Sequence, residues 1–130
     1  MLLKEVDSTN IYAKKLEKPI PGTVALAEVQ TAGKGQHNKA WVTESGKNLT
    51  FSIIFTPSKA DRITLLTLAC ASAIEDVVCK YYDNCSINLK WPNDVICDGK
   101  KIAGLLTEVI YSGNKVDRVI VGIGLNVNQD

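Results

Sequence analysis

A chain of 130 residues, 45% hydrophobic and 22% charged, is composed like an ordinary globular domain and is long enough to bury one core. Its formal charge of +1 excludes a surface built throughout to attract nucleic acid or an anionic membrane, and leaves room only for local anion binding. Met1-Leu2-Leu3-Lys4-Glu5 reaches charge at once, and no later stretch approaches the roughly 18 apolar residues of a membrane span, so a cytoplasmic protein is expected.

Asp7 or Ser8 can cap a first helix, with Ile11, Tyr12, Lys15 and Leu16 following at helical spacing until Pro19 and Pro21 end it. Thr23 to Val29 is β-branched and apolar enough for a strand, whereas Gln30 to Ala40 is polar, contains glycine and follows neither period, which makes it a long loop. Leu49, Phe51, Ile53 and Phe55 alternate with Thr50, Ser52 and Ile54, the period of a strand with one face turned to the core, and Pro57 closes it. Leu66, Ala69, Cys70, Ala73, Ile74, Val77, Val78 and Tyr81 trace one apolar stripe on the main helix, which begins near Asp61.

Ser86 to Lys90 and Val95 to Cys97 read as short strands, and Asp98-Gly99 supplies the positive φ angles of a tight hairpin before a strand from Lys101 to Ile110. Ser112-Gly113-Asn114 signals a second hairpin leading into Val116 to Ile123. The pattern predicts a single α+β domain: a mixed, largely antiparallel sheet with helices packed on one face. Cys70, Cys79, Cys85 and Cys97 lack C-x-x-C spacing and His37 is the single histidine, so they read as reduced thiols that mostly fill the core rather than as a zinc site.

Several segments carry chemistry. Gln30 to Trp41 holds Gly33, Gly35, Lys34, Lys39 and an aromatic plate, a loop that can wrap an anion and stack a flat ring, although a G-x-G with lysines is as often a solvated loop. Lys90-Trp91-Pro92-Asn93-Asp94 puts a cation, an amide and a carboxylate at a strand end, where the plainer reading is a β-turn with Trp91 packed beneath it. Lys101 starts a strand after the hairpin and can bring its ammonium back near Asn93 or Asp94. Gly122 and Gly124 mark a bulge or a close approach near the end of the last strand. Asp7-Ser8-Thr9-Asn10 needs only one hydroxyl or carboxylate as a cap, leaving others to bond a small polar ring.

Taken in order, D-S-T-N, the Q-T-A-G-K-G loop ending in Trp41, K-W-P-N-D, K-I-A-G-L-L-T-E and V-G-I-G-L-N-V-N resemble the biotin protein ligase family, from about Glu5 to Asn128. The resemblance implies the fold shared with lipoate ligases and octanoyl transferases, and a two-step reaction using ATP and Mg2+. Biotin carboxylate attacks the α-phosphorus of ATP, and the acceptor lysine of a biotin carboxyl carrier domain then attacks biotinyl-5′-AMP. It implies Lys101 between the biotin carboxylate and the α-phosphate, with Lys90 assisting on the phosphate side. It implies Ser8, Thr9 and Gln30 at the ureido ring, Gly33 and Lys34 in the loop over the carboxylate, and Gly104, Gly122 and Gly124 where biotin lies against the strands. On the nucleotide side it implies Gln36, Lys39, Trp41 against adenine, Asn93, Asp94 and Asn126, with Asp94 also toward the metal.

The family loop is richer in arginine, and Gln36 stands where a bidentate charged fork is expected. The family's further helices and small β-barrel after the last strand are not in this sequence, so a catalytic domain truncated at its carboxy-terminal side is expected. No helix-turn-helix precedes Asp7, so no DNA binding is expected; a homodimer is compatible with the resemblance. The rival readings are a lipoate or octanoate ligase on the same fold and a non-catalytic biotin- or nucleotide-binding module.

Overall fold

The computed structural model describes residues 1–57, 62–84 and 86–129. Among them, one sheet is built from β1 (Leu2–Val6), β2 (Val24–Gln30), β3 (Asn48–Phe55), β4 (Ile87–Lys90), β5 (Asp94–Cys97), β6 (Lys100–Ser112) and β7 (Lys115–Asn126). The strands stand in the order β1-β2-β3-β7-β6-β5-β4, and every neighbouring pair except β1 and β2 is antiparallel. Helices α1 (Thr9–Lys15) and α2 (Ile63–Val78) pack on this sheet, giving the expected α+β class. No helix among the described residues is long and apolar enough to cross a membrane.

The first strand is absent from the sequence reading. Leu2–Val6 pairs in parallel with β2, Leu2 opposite Leu26 and Val6 opposite Gln30, and α1 is the crossover that a parallel pair requires. Two charges among five residues conceal it, as befits an edge strand with one side unpaired.

The helices occupy opposite faces of the sheet, not one. On β7, Val119, Val121 and Ile123 join Ala71 and Ile74 of α2 in the larger core, whereas Ile120 meets Ala13 of α1 and Ile54. A run of apolar residues with both parities filled cannot leave either side in water, so each face acquires a helix. The same holds for β3: Phe51, Ile53 and Phe55 pack toward α2, yet Thr50, Ser52 and Ile54 are the more deeply buried set, on the α1 side.

The expected stripe on α2 is displaced by part of a turn. Ile63, Leu66, Cys70, Ala71, Ile74 and Val78 face the core, while Ala69, Ala73, Val77 and Tyr81 are exposed. Asp61, near which the helix was expected to begin, lies outside the described residues, as does Cys85. Of the other cysteines only Cys70 packs on the core, where burial pushes its thiol pKa up. Cys79 is exposed, and Cys97 Sγ lies 3.8 Å from Asp98 Oδ2. The hairpin between β5 and β6 turns as expected through Asp98 and Gly99, with φ of 49° and 78°.

Candidate active site

Two rows of residues cross the α1 face of the sheet. Thr50, Gly124 and Gly104 are successive partners across β3, β7 and β6, and Ser52, Gly122 and Leu106 form the next row. Three missing side chains in the middle of a sheet leave a depression, and the 33–41 loop roofs it to make a cavity of about 310 Å³. Ser8, Thr9, Gln30, Lys34, Gln36, Lys39, Trp41, Asn93, Asp94, Lys101, Gly104, Gly122 and Gly124 all line it.

One end of the cavity is polar and uncharged. Ser8 sits at the N-cap position of α1 but makes no side-chain cap bond, and the amide of Thr9, the first helical residue, donates to Gln30 Oε1 at 2.7 Å. Ser8, Thr9 and Asn10 are each at most 3% exposed. Ser52 Oγ stands 2.7 Å from Thr9 Oγ1 and 2.6 Å from Asn10 Oδ1, binding the helix start to the sheet. Asn10 fills the space over Gly122, where an added Cβ would meet its Oδ1 at 2.3 Å.

The other end is charged. Lys101 Nζ lies 2.8 Å from Asp94 Oδ1 and 5.6 Å from the centre of the Trp41 ring. Asp94 faces Gly104 across β5 and β6, which is how the hairpin brings Lys101 back to it. Asn93 is tied to the same strand: its Nδ2 donates to the Leu105 carbonyl at 2.9 Å, and Leu105 N–H donates to the Asn93 carbonyl at 2.8 Å. Trp91 is 67% exposed, so it does not pack beneath this turn.

The loop closes on itself. Trp41 N–H donates to the Gly33 carbonyl at 2.9 Å, Gly35 N–H to the Lys39 carbonyl at 2.7 Å, and Lys34 bridges Ala40. His37 and Asn38 adopt positive φ of 55° and 60°, which turns the chain between them. Gly33 stands behind the lining: a Cβ there would lie 2.4 Å from the Trp41 carbonyl oxygen and 2.7 Å from Gln30 Nε2.

Lys90 and Asn126 are likewise outside the lining. Lys90 is the exposed partner of Asp94 across β4 and β5, beside a small apolar dimple with Leu68, Leu89 and Trp91. Asn126 lies two residues beyond Gly124, opposite Asn48. Conversely, Asn10, Thr50, His37 and Leu106 line the cavity without having been singled out as site residues. Oγ1 of Thr50 and Nε1 of Trp41 are buried with no hydrogen-bond partner in the protein. Only the alternation of Thr50 and Ser52 with large apolar residues hinted at such a role.

The described residues hold no cluster of three potential metal ligands, and Asp94 is the one carboxylate among the described lining residues. A single carboxylate fits a magnesium ion that arrives with phosphate ligands of its own, not a protein-built cage.

The sequence matches the model of the biotin/lipoate A/B protein ligase family over residues 2–126. It is 37% identical over 113 residues to the bifunctional ligase/repressor BirA of Bacillus subtilis (strain 168), covering 83% of this chain and 33% of that protein. It is 36% identical over 129 residues to the biotin--[acetyl-CoA-carboxylase] ligase of Paracoccus denitrificans, covering 97% of this chain and 53% of that one. The fold superposes on the biotin protein ligase from Aquifex aeolicus in complex with biotin and ATP with a TM-score of 0.86 and 35% identity, over 99% of this chain and 52% of that chain. The chain thus spans about a third to a half of the length of these relatives.

Proposed function

We propose that this chain, which belongs to the biotin/lipoate A/B protein ligase family, binds biotin and ATP in the cavity and joins them as biotinyl-5′-AMP for transfer to a lysine of a biotin carboxyl carrier domain. Residues 1–130 would belong to one catalytic domain. The observation that carries the reading is the cavity's polarity: a neutral hydrogen-bonding end at Thr9 and Gln30, a glycine floor, and a cation, Lys101, at the far end. A molecule with a neutral polar ring, an apolar chain and a terminal carboxylate has that same sequence of groups.

In the first step a biotin carboxylate oxygen forms a bond to the α-phosphorus while the bond to the bridging oxygen breaks and pyrophosphate leaves. Two anions must meet, and charge gathers on the α-phosphate oxygens. Lys101 meets that need by turning its ammonium from Asp94 toward the carboxylate and phosphate, with Lys34 and Lys39 of the loop adding positive charge from the roof. Lys90 would assist from the neighbouring strand, Gln36 and Asn126 would face the nucleotide, and Trp41 would offer its indole to adenine. Asp94 would hold a magnesium ion accompanying the triphosphate, and the ion would neutralise phosphate charge. In the second step the acceptor amine attacks the acyl carbon and AMP leaves.

A ring with fixed donors and acceptors is selected by buried partners that would otherwise stay unpaired, which favours biotin over lipoate at Thr9 and Gln30. The test is calorimetric titration with biotin and with lipoate, each with and without ATP and magnesium. Biotin binding that tightens with ATP is the expected result; a folded chain that binds lipoate but not biotin would reverse the assignment.

A further inference from the structure

We infer that Asn10 is a specificity-determining residue, a fixed wall that limits the size of the ring the cavity accepts, and that Glu108, outside the lining, is the positioning residue that holds it. The inference deepens the reading of the neutral end as the seat of a cyclic urea, and rests on it. Asn10 lines the cavity yet is only 3% exposed. Its carboxamide is pressed onto Gly122, where an added Cβ would meet Oδ1 at 2.3 Å, Cγ at 2.9 Å and Nδ2 at 3.0 Å.

Three strands hold that carboxamide. Nδ2 donates to the Leu106 carbonyl on β6 at 3.2 Å and to Glu108 Oε2, two residues along the same strand, at 2.8 Å. Ser52 Oγ on β3 donates to Oδ1 at 2.6 Å, and β7 supplies Gly122 beneath. Both amide hydrogens are spent within the protein, so the nitrogen has none to offer a ligand. Glu108 is itself fixed by α1, with Lys14 Nζ 2.6 Å from Oε1, so each carboxylate oxygen has a partner. A buried polar group tied in this way is rigid.

The place of Asn10 on the sheet gives the wall its effect. The row of Ser52, Gly122 and Leu106 reaches the cavity, whereas Ile54, Ile120 and Glu108 of the next row do not line it, and Ile54 and Ile120 join Ala13 in the small core under α1. Asn10 stands at that boundary. A ligand whose urea is bonded at Thr9 and Gln30 therefore meets, at the neighbouring residue, a surface that can neither turn aside nor donate. Selection there works by exclusion, and a site without room for one methyl-sized group discriminates by about tenfold or more.

The experiment measures, by calorimetry, the affinity for biotin and for two bulkier forms of it, one methylated on a urea nitrogen and one oxidised to the sulfone at the ring sulfur. Thermal unfolding is followed alongside. In Asn10→Ala at least one bulkier form should gain about tenfold relative to biotin. Glu108→Ala, which frees the carboxamide, should shift the same ratio about threefold, and Glu108→Gln, which keeps an acceptor for Asn10, should return it toward that of the unmodified chain. A merely structural role would weaken all three ligands together and leave the ratios unmoved. Unmoved ratios in Asn10→Ala, or equal ratios in the two Glu108 variants, would overturn the inference; if Asn10→Ala does not fold, Asn10→Ser and the Glu108 pair decide the matter. An unmodified chain that binds no biotin defeats the site reading and the wall with it, whereas normal biotin binding with unmoved ratios defeats the wall alone.

Discussion

A Cβ added at Gly124 would stand 2.2 Å from Cε2 of Trp41, so the indole occupies the space that any side chain on this part of β7 would need. Gly124 lies in a regular strand opposite Thr50, and its role is close approach rather than a special backbone angle. The Gly124→Ala variant should fold but expel the indole from the cavity. In a Trp91→Phe background the Trp41 emission maximum should move to longer wavelength, and biotin affinity should fall at least about tenfold, given typical overpacking costs. An unchanged emission maximum would mean that the close contact does not govern the indole.

Lys101 and Asp94 lead to a separate expectation. The Lys101 side chain is 43% exposed, so the pair should contribute no more than about 1 kcal/mol to stability. Lys101→Met should therefore shift the melting temperature little. Its effect on ATP–pyrophosphate exchange with biotin should be far larger, a loss of about 10²- to 10³-fold, the range for removing one preorganised group that meets developing charge. Lys101→Arg should not restore the rate, because a planar fork cannot take the place of a compact ammonium on both anions. Near-normal exchange in Lys101→Met would remove this lysine from the reacting centre.

The hairpin at Asp98-Gly99 made the Lys101–Asp94 encounter legible from sequence, since a two-residue turn fixes register and register fixes which side chains meet. The glycines of β7 and the long loop were legible for a similar reason: local composition departs there from what a strand or helix requires. What escaped was set by distant partners. β1 exists because β2 lies beside it, and the second covered face of β3 exists because α1 crosses over it. Ser52 and Thr50 read as the polar side of a half-buried strand, whereas α1 and the loop bury both; their role follows from tertiary contacts that no local period encodes.

Gln36 lines the cavity from the loop, in the place where the family resemblance leads one to expect arginine. Glutamine offers neutral hydrogen bonds, while a guanidinium would offer a charged fork to phosphate. The Gln36→Arg variant should release biotinyl-AMP about tenfold more slowly, a change well within the worth of one charged hydrogen bond. Chase experiments with labelled intermediate would measure it, and equal dissociation rates would count against the roof position of residue 36.

Cys70 supplies a pH dependence. Burial raises its thiol above the ordinary value of 9.0, so the folded chain holds the proton more tightly than the unfolded one. The sign follows directly: this contribution is fully present below pH 9.0, and stability falls as pH rises through that value toward the folded pKa. Urea midpoints measured at pH 8 and at about pH 10 should converge between the chain and its Cys70→Ala variant as the thiolate penalty grows. A constant difference across that range would mean that the thiol is not desolvated.

Thr50 carries a hydroxyl at 3% residue exposure, opposite Gly124, with no hydrogen-bond partner in the protein. A buried polar atom in that condition costs about 1–3 kcal/mol relative to an apolar group of the same shape. Evolution toward stability alone would place valine there, which has nearly the same volume and an equal liking for strands. Thr50→Val should accordingly stabilise the chain by about 1 kcal/mol in urea denaturation without biotin or ATP. If the hydroxyl serves a bound molecule, the same variant should weaken biotin, ATP or both, and the identity of the weakened ligand locates that molecule over the Thr50–Gly124 row. A variant that is no more stable than the parent would show instead that solvent already reaches the hydroxyl, and a variant more stable with both affinities intact would assign Thr50 to the fold alone.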